Sequence, residues 1–404
     1  MPTLWPSPRG LGAWEWFKGD SPDGGGPVRG RGGPRPGPER PPPAAGCRLG
    51  ITLAVDFEAA ATAVFTDNFP DANAVTAAVE SYFDGDLGAP ATPIEQATAL
   101  AHPGTAILMG GPPCQGHSNL NNITRRRDPK NVLYARMARA AEILQPAFVI
   151  IENVPSVRRD TDQVVQRTIE HLEGLDYTVA TGIVSLHDLG VAQSRRRHIL
   201  FASADPAAPA PTLLNSLLGN TAATGRTLRW AIEDLADLAA PTGYDRAPVP
   251  NDTNLTRMQY LLDNDEYDLP PHLRPLCHQS AHSYKSMYGR LNWELPAQTI
   301  TSGFGSIGQG RYMHPDQTRA LTAHEAARIQ GFPDYFSFTA VTGRGALATM
   351  IGNAVPPALM RELGALLLPV LAAAAGAAAE PVVLAPAVPA APAAAARARG
   401  LVPA

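Results

Sequence analysis

Residues 107–119 read ILMGGPPCQGHSN: an apolar run breaks into two glycines and two prolines, and a cysteine, Cys114, follows at once. A short apolar run closed by such punctuation predicts a buried strand that ends abruptly. The prolines fix φ and remove N–H donors, so the chain is stiff and bent where the thiol sits. Working outward, the same grammar repeats. ITLAVDF (51–57) predicts a strand and EAAATAVFTDNF (58–69) a helix. VLYARMARAAEILQP (132–146) has helical spacing, and AFVIIENV (147–154) reads as the next strand. TDQVVQRTIEHLEGL (161–175) is another helix, followed by strands in YTVATGIVSL (177–186) and RRHILFASA (196–204). Strands alternating with helices, the strands continuously apolar, predict an α/β fold: a doubly wound, mostly parallel sheet covered on both faces. In such sheets ligands bind beyond the carboxyl ends of the strands, where both GGPPCQ and ENV fall.

The ends of the chain read differently. Residues 1–45 are rich in Gly, Pro and Arg without apolar periodicity, and 371–404 form an Ala/Pro tail; both are expected to be disordered. The 40 prolines and 36 glycines among 404 residues concentrate there, and 45% hydrophobic residues suffice for a sizeable core. Between 206 and 345 the alternation stops, which suggests a smaller, loop-rich module. GNAVPPALMRELGALLL (352–368) then supplies a turn and a helix, within 346–370, that rejoins the catalytic domain of 46–205. MPTLWPSPRG has no apolar core segment, so no secretory leader is expected. The longest uncharged apolar stretch, 363–379, is mostly alanine with a proline, and reads as a helix end rather than a membrane span. Three scattered cysteines suit a reducing cytoplasm and no disulfide framework. The net charge of −4 excludes a global basic field, so any nucleic-acid surface must be local.

The chemistry-bearing residues gather at one expected sheet edge. Cys114, alone, would be a small core hydrophobe; at a proline-stiffened strand end it is placed to act as a nucleophile. Glu152 closes FVIIENV, where a carboxylate after four apolar residues is costly unless solvated, paired or used. Gln193, Arg195 and Arg197 alternate through QSRRR, so a strand there would send all three to one side. Such guanidinium forks suit a phosphate or a carbonyl; a solvated basic edge is the plainer alternative.

The ordered set GGPPCQGHS, ENV, QSRRR, RLNWELPAQTIT…HPDQTRALTAHEAARIQGFPDYF and IGNAVPPAL resembles the DNA (cytosine-5) methyltransferase family of the bacterial modification type, from about Gly46 to Leu367. The resemblance implies the Rossmann-like fold of S-adenosylmethionine-dependent methyltransferases, with the loop-rich module (206–345) as the target-recognition domain. It implies that Cys114 attacks C6 of a flipped-out cytosine in double-stranded DNA. It gives Glu152 the ring N3 and exocyclic amine, and Arg195 and Arg197 the base carbonyl and phosphates. For the cofactor it implies Gly30, Gly32 and Gly33 of a glycine loop, Asp56 or Glu58 at the ribose, and Asp86 (with Asp84 as competitor) at the adenine amine. Pro112, Asn353 and Val355 complete that pocket. DNA contacts are expected from Gln115, Ser118, Gln193, Arg290 and, secondarily, Thr301. A cognate restriction endonuclease is the partner such systems imply; a monomer in the cytoplasm, with no membrane and no metal, is expected. His272, Cys277, His278 and His282 follow no metal-ligand spacing. A tRNA methyltransferase of the same architecture is the enzymatic alternative, disfavoured by GHS after PPCQ.

One departure stands out. In VRGRGGPRPGPERPPPAAGC (28–47) the glycine spacing survives, but Val28 replaces an aromatic and no apolar strand precedes it. Prolines 34, 36, 38 and 41–43 fall where the first helix belongs, at roughly 3 kcal/mol each in a helix interior. The first strand and helix are therefore expected to be degenerate or missing. Loss of the element, a shift of reading frame upstream of about residue 45, and an unusual cofactor loop are the competing explanations. Weak S-adenosylmethionine binding is expected of the chain as written, and a catalytically impaired DNA-binding relic is the rival reading.

Overall fold

A computed structural model describes residues 50–112, 132–160, 163–219, 226–237, 243–276, 279 and 286–374. The apolar runs become strands: β1 (Ala54–Asp56), β2 (Ala74–Thr76), β3 (Ile107–Gly110), β4 (Phe148–Asn153), β5 (Thr178–Ser185) and β6 (Arg196–Ser203). β1 and β2 form a parallel pair, and β3-β4-β6-β5 form a four-stranded sheet. β3 and β4 are parallel, whereas β4–β6 and β5–β6 are antiparallel. The fold is thus α/β with mixed sheets. The antiparallel half arises because no helix separates β5 from β6: residues 186–195 turn the chain back directly.

Strand alternation assigns the faces. Phe148 and Ile150 of β4, with Ile199 and Phe201 of β6, join one core. Leu213, Leu214 and Leu217 of α5 (Ala210–Gly219) and Leu359, Leu363 and Leu367 of α10 (Pro357–Ala374) complete it. Val149, Ile151, Leu200 and Ala202 point the other way, against Tyr134, Met137 and Ala141 of α3 (Val132–Leu144) and Leu172 of α4 (Val164–Glu173). Two buried layers on one sheet are what continuous apolar strands require. α5 lies within the stretch expected to belong to the separate module, yet its leucines pack on the sheet.

α1 (Ala59–Asn68) flanks β1, and Thr62 Oγ1 lies 2.6 Å from Thr76 Oγ1 at the end of β2. α2 (Pro93–Ala101) is started by a capping box: Thr92 Oγ1 accepts from Glu95 N–H, while Glu95 accepts from Thr92 N–H. In the module, α6 (Leu228–Ile232) and α7 (Asp252–Asp263) are short. α8 (Ala323–Gln330) and α9 (Arg344–Asn353) pack with α6 and Val64 of α1 around Ile300, Phe332 and Ile351. The segment Arg344–Ala374 is long and apolar enough to cross a membrane by length and composition. It is broken between Asn353 and Pro357, and its leucines fill the core beneath β4 and β6, so it is a core element.

Candidate active site

β4 delivers Glu152 to the carboxyl edge of the sheet, on the face of Phe148 and Ile150. β6 runs antiparallel beside it, with Glu152 opposite Ile199 and Asn153 opposite His198. The start of β6 therefore lies at the end of β4, and Arg197 falls on the same face as Glu152. Arg197 Nε stands 2.6 Å from Glu152 Oε1, an ion pair whose side chains are 7% and 3% exposed. This is the pair of expected catalytic residues that the fold brings together.

Two buried polar groups feel the Glu152 charge. Tyr134 is buried, and burial, aided by the Glu152 charge, pushes its phenol well above the usual range. His198 is also buried. Burial first, then the Arg158 guanidinium, lowers its pKa to about 4 against the pull of Glu152, so the imidazole is neutral near pH 7. A buried charge acts strongly on its neighbours, because little solvent screens it.

Asn153, which sequence reasoning passed over, ties the site together. Fully buried, it donates from Nδ2 to Pro112 O (3.3 Å) and accepts from Val154 N–H (2.8 Å). Pro112 itself is buried at the mouth of the GGPPCQ segment. The segment leading to Cys114 is thus anchored to the strand that carries Glu152. Cys114, Gln115 and Ser118, like Gly30, Gly32 and Gly33, lie outside the described residues.

Other expected site residues take different places. Arg195 lies just before β6 and is held by backbone carbonyls. It is 1% exposed, and its guanidinium donates to Ile300 O (2.7 Å), Gly352 O (3.2 Å) and Ala354 O (3.3 Å). Gln193, expected at DNA, is fully buried instead. It accepts from Ile300 N–H (2.9 Å) and donates to Gln330 Oε1 (2.9 Å) and Ile329 O (3.3 Å). The reason is local: residues 192–194 pair with Ala297, which sets Gln193 against the module. Arg290, also expected at DNA, is buried too. It donates to Pro315 O (2.6 Å), to Leu261 O (3.2 Å) and to Asp265 (3.1 Å), and lies over the Tyr267 ring. Thr301 Oγ1 sits 2.9 Å from Tyr312 Oη, half-buried. Among the described residues no cluster of His, Cys, Asp or Glu could hold a metal. Cys277, His278 and His282 are outside them.

The acids read as cofactor ligands sit on the β1–β2 side. Asp56 ends β1 and accepts from Glu58 N–H (2.9 Å), while Glu58 itself starts α1. Asp86 is exposed on the loop after β2, and its competitor Asp84 accepts from Thr92 Oγ1 (2.5 Å). That loop is clamped by a pair absent from the sequence reading. Arg139 donates to both oxygens of Glu95 (2.8 and 2.6 Å) and to Ala89 O and Pro90 O; Gly85 N–H also donates to Glu95. The guanidinium holds the Glu95 carboxyl at about 2. A Cβ on Gly85 would meet Arg139 Nη2 at 2.6 Å, so the glycine lets the loop close over the clamp. The TPxE signature at 92–95 was the available signal. A mostly buried acid at a strand end and an exposed acid on a clamped loop fit ribose hydroxyls and an adenine amine. Asn353 ends α9, and Val355 is buried in the sheet core beside the carbonyls that Arg195 holds.

The sequence pattern of the C-5 cytosine-specific DNA methylase family matches residues 45–368. The chain is 40% identical over 319 residues to the Type II methyltransferase M1.BsuMI of Bacillus subtilis, covering 78% of this chain and 74% of that one. It is 35% identical over 271 residues to the Type II methylase M.HgiDII of Herpetosiphon aurantiacus, covering 64% and 74%. A crystal structure described as a prophage-encoded DNA modification methyltransferase from E. coli overlays with a TM-score of 0.51 at 22% identity, over 79% and 92% of the two chains; that likeness is one of fold. With a family match over most of its length and a relative this similar, the chain belongs to the C-5 cytosine-specific DNA methylases.

Proposed function

We propose that this DNA cytosine-5 methyltransferase works through a covalent bond between Cys114 and C6 of a cytosine flipped out of double-stranded DNA. Cys114 Sγ, as thiolate, adds to C6, and the displaced ring electrons move through C5 toward N3. Glu152 holds N3 and the exocyclic amine, where charge develops, and Arg197 orients Glu152 and reaches the base carbonyl. When bound, S-adenosylmethionine supplies the methyl group that the electron-rich C5 accepts. The C5 proton then leaves, and the Sγ–C6 bond breaks to restore the ring. Asp56 and Asp86 hold the adenosine half of the cofactor, with Pro112, Asn353 and Val355 at its other end.

The observation that carries this reading is the Glu152–Arg197 pair at the carboxyl edge, with Asn153 bonding the cysteine-bearing segment to the same strand. Residues 46–205 together with α5 are the catalytic body, the module up to about 345 selects the target, and 346–370 close the sheet. The protein acts as a cytoplasmic monomer, paired with a cognate restriction endonuclease. The test is transfer of labelled methyl from S-adenosylmethionine to duplex DNA, with Cys114→Ser as the inactive control and bisulfite sequencing to locate the cytosine. Label in tRNA but not in duplex DNA overturns the choice of substrate.

A second reading, a DNA-binding relic with impaired cofactor capture, is motivated by β1–β2 sharing no ladder with the four-stranded sheet among the described residues. Duplex binding with no label transferred at saturating cofactor is its signature.

A further inference from the structure

We propose that Arg158 and Arg159 are the phosphate anchor beside the catalytic carboxylate: they bind the DNA backbone next to the extruded cytosine. This rests on the catalytic reading above and adds to it the residues that grip the distorted strand.

Four observations lead there. The arginines expected to meet phosphate are committed elsewhere: Arg195 and Arg290 donate to buried carbonyls. The net charge of −4 leaves no general basic surface, so the strand needs local cations. Arg158 and Arg159 belong to the 3-10 turn Pro155–Arg159, which begins three residues after Glu152 at the carboxyl edge. Both are exposed and, among the described residues, neither has an ion pair or a side-chain hydrogen bond.

The turn is a rigid support. Val157 is fully buried among Val149, Ile151 and Leu200, and Asp160 N–H donates to Val157 O (3.1 Å). Asp160, which follows the turn, accepts from Val164 N–H at its Oδ2 (3.3 Å) at the start of α4. Arg158 is near enough to the site for its charge to act on His198, the residue opposite Asn153. Two unpaired guanidinium groups on a fixed turn suit phosphate oxygens, and their position carries no base-reading geometry.

The experiment measures duplex binding as a function of salt, using a mixed-sequence duplex with cytosines in many contexts. The chains compared are the wild type, Arg158→Gln/Arg159→Gln and Arg158→Lys/Arg159→Lys. Each phosphate contact contributes about 0.9 to the slope of log affinity against log salt. The glutamine pair is expected to lower that slope by roughly 1–2 and to weaken binding at low salt by about tenfold or more. The lysine pair, which keeps the charge, restores the slope. A slope unchanged in the glutamine variant, or one the lysines do not restore, overturns the proposal. Label transfer by the wild type is read in parallel. A chain that shows the slope change but transfers no label sinks the catalytic reading and sustains the anchor, while one that methylates with an indifferent slope does the reverse. A wild type that binds no duplex overturns both.

Discussion

Glu152 and Arg195 illustrate two fates of a buried charge at one sheet edge. Glu152 is buried and pairs with the Arg197 guanidinium at 2.6 Å; under the proposed mechanism its charge meets the bound base. Replacing it by glutamine keeps the size and hydrogen-bonding capacity and removes the charge. The expected result is a loss of roughly 10²–10³ in kcat, the scale for one lost transition-state partner, with duplex affinity retained. Single-turnover label transfer at saturating DNA checks it, and a rate within a factor of a few of wild type would remove Glu152 from the mechanism. Arg195 is spent on the carbonyls of Ile300, Gly352 and Ala354. Arg195→Met removes those bonds, at roughly 1–3 kcal/mol for each carbonyl left unpaired; Gly352 O keeps a bond from Gln330 Nε2 (3.4 Å). The urea midpoint of that variant is expected to fall steeply. Arg197→Met removes a bond to Arg196 O (2.8 Å) and the partner of Glu152, and is expected to lose rate in excess of stability. Equal stability losses in the two variants would contradict this division of labour.

Elements meet at two places where packing leaves no slack. At the end of α9, a Cβ on Gly352 would lie 2.2 Å from Ser302 N and 2.3 Å from Thr301 C. Those are backbone atoms, which no rotamer change can clear. Gly352→Ala must therefore part α9 from the 300–302 segment and is expected to cost about 3 kcal/mol or more, read from urea unfolding. The second place is the clamp between α2 and α3. The Glu95 carboxyl is held at about 2 against an ordinary 4.5, chiefly by its hydrogen bonds to Arg139. Because the folded value is the lower one, its stabilisation is complete above pH 4.5 and is lost as pH falls from there through about 2. Unfolding midpoints across that window should drop in the wild type and flatten in Glu95→Gln. These two sites also mark what the sequence could not disclose. β4 and α3 were legible because apolar periodicity is local, and Glu152 because a carboxylate ending an apolar run is anomalous. The Arg195 partners are backbone carbonyls 105 and 157 residues away, and Glu95 meets Arg139 across 44. Backbone acceptors leave no trace in side-chain identity, so the bonds that hold Arg195 and Gln193 in place could not be read from QSRRR. The antiparallel return of β5 and β6 was hidden for a related reason: strand composition does not record direction, and only the missing helix between them does.

At the scale of the molecule, the described residues hold two sheets rather than one. The four-stranded sheet is covered on both faces and carries Glu152 and Arg197, whereas β1–β2 is a parallel pair three residues long and ends in Asp56. Among the described residues no ladder joins β1 to β3, and the stretch expected to supply the first strand lies outside them. Among the described residues the small pair is tied in through α1: the Thr62–Thr76 contact, Val64 in the core around Ile300, and two 2.8 Å bonds between Asn68 and Ser337. Short parallel pairing contributes little by itself, so β1–β2 should open without global unfolding. Amides of 54–56 and 74–76 are expected to exchange at least about tenfold faster than those of 149–152 and 198–202, a gap of roughly 1.4 kcal/mol or more in opening free energy. The same looseness predicts weak cofactor capture, because Asp56, proposed to hold the ribose, stands on the part that opens first. Calorimetry on the full chain should find S-adenosylmethionine binding weaker than micromolar. Added cofactor should slow exchange in β1–β2 while leaving β4 and β6 unchanged, since ligand stabilises only the opening that destroys its site. Exchange of all six strands at one common rate, together with micromolar affinity, would mean that the two sheets act as one cooperative body and that the cofactor pocket is intact.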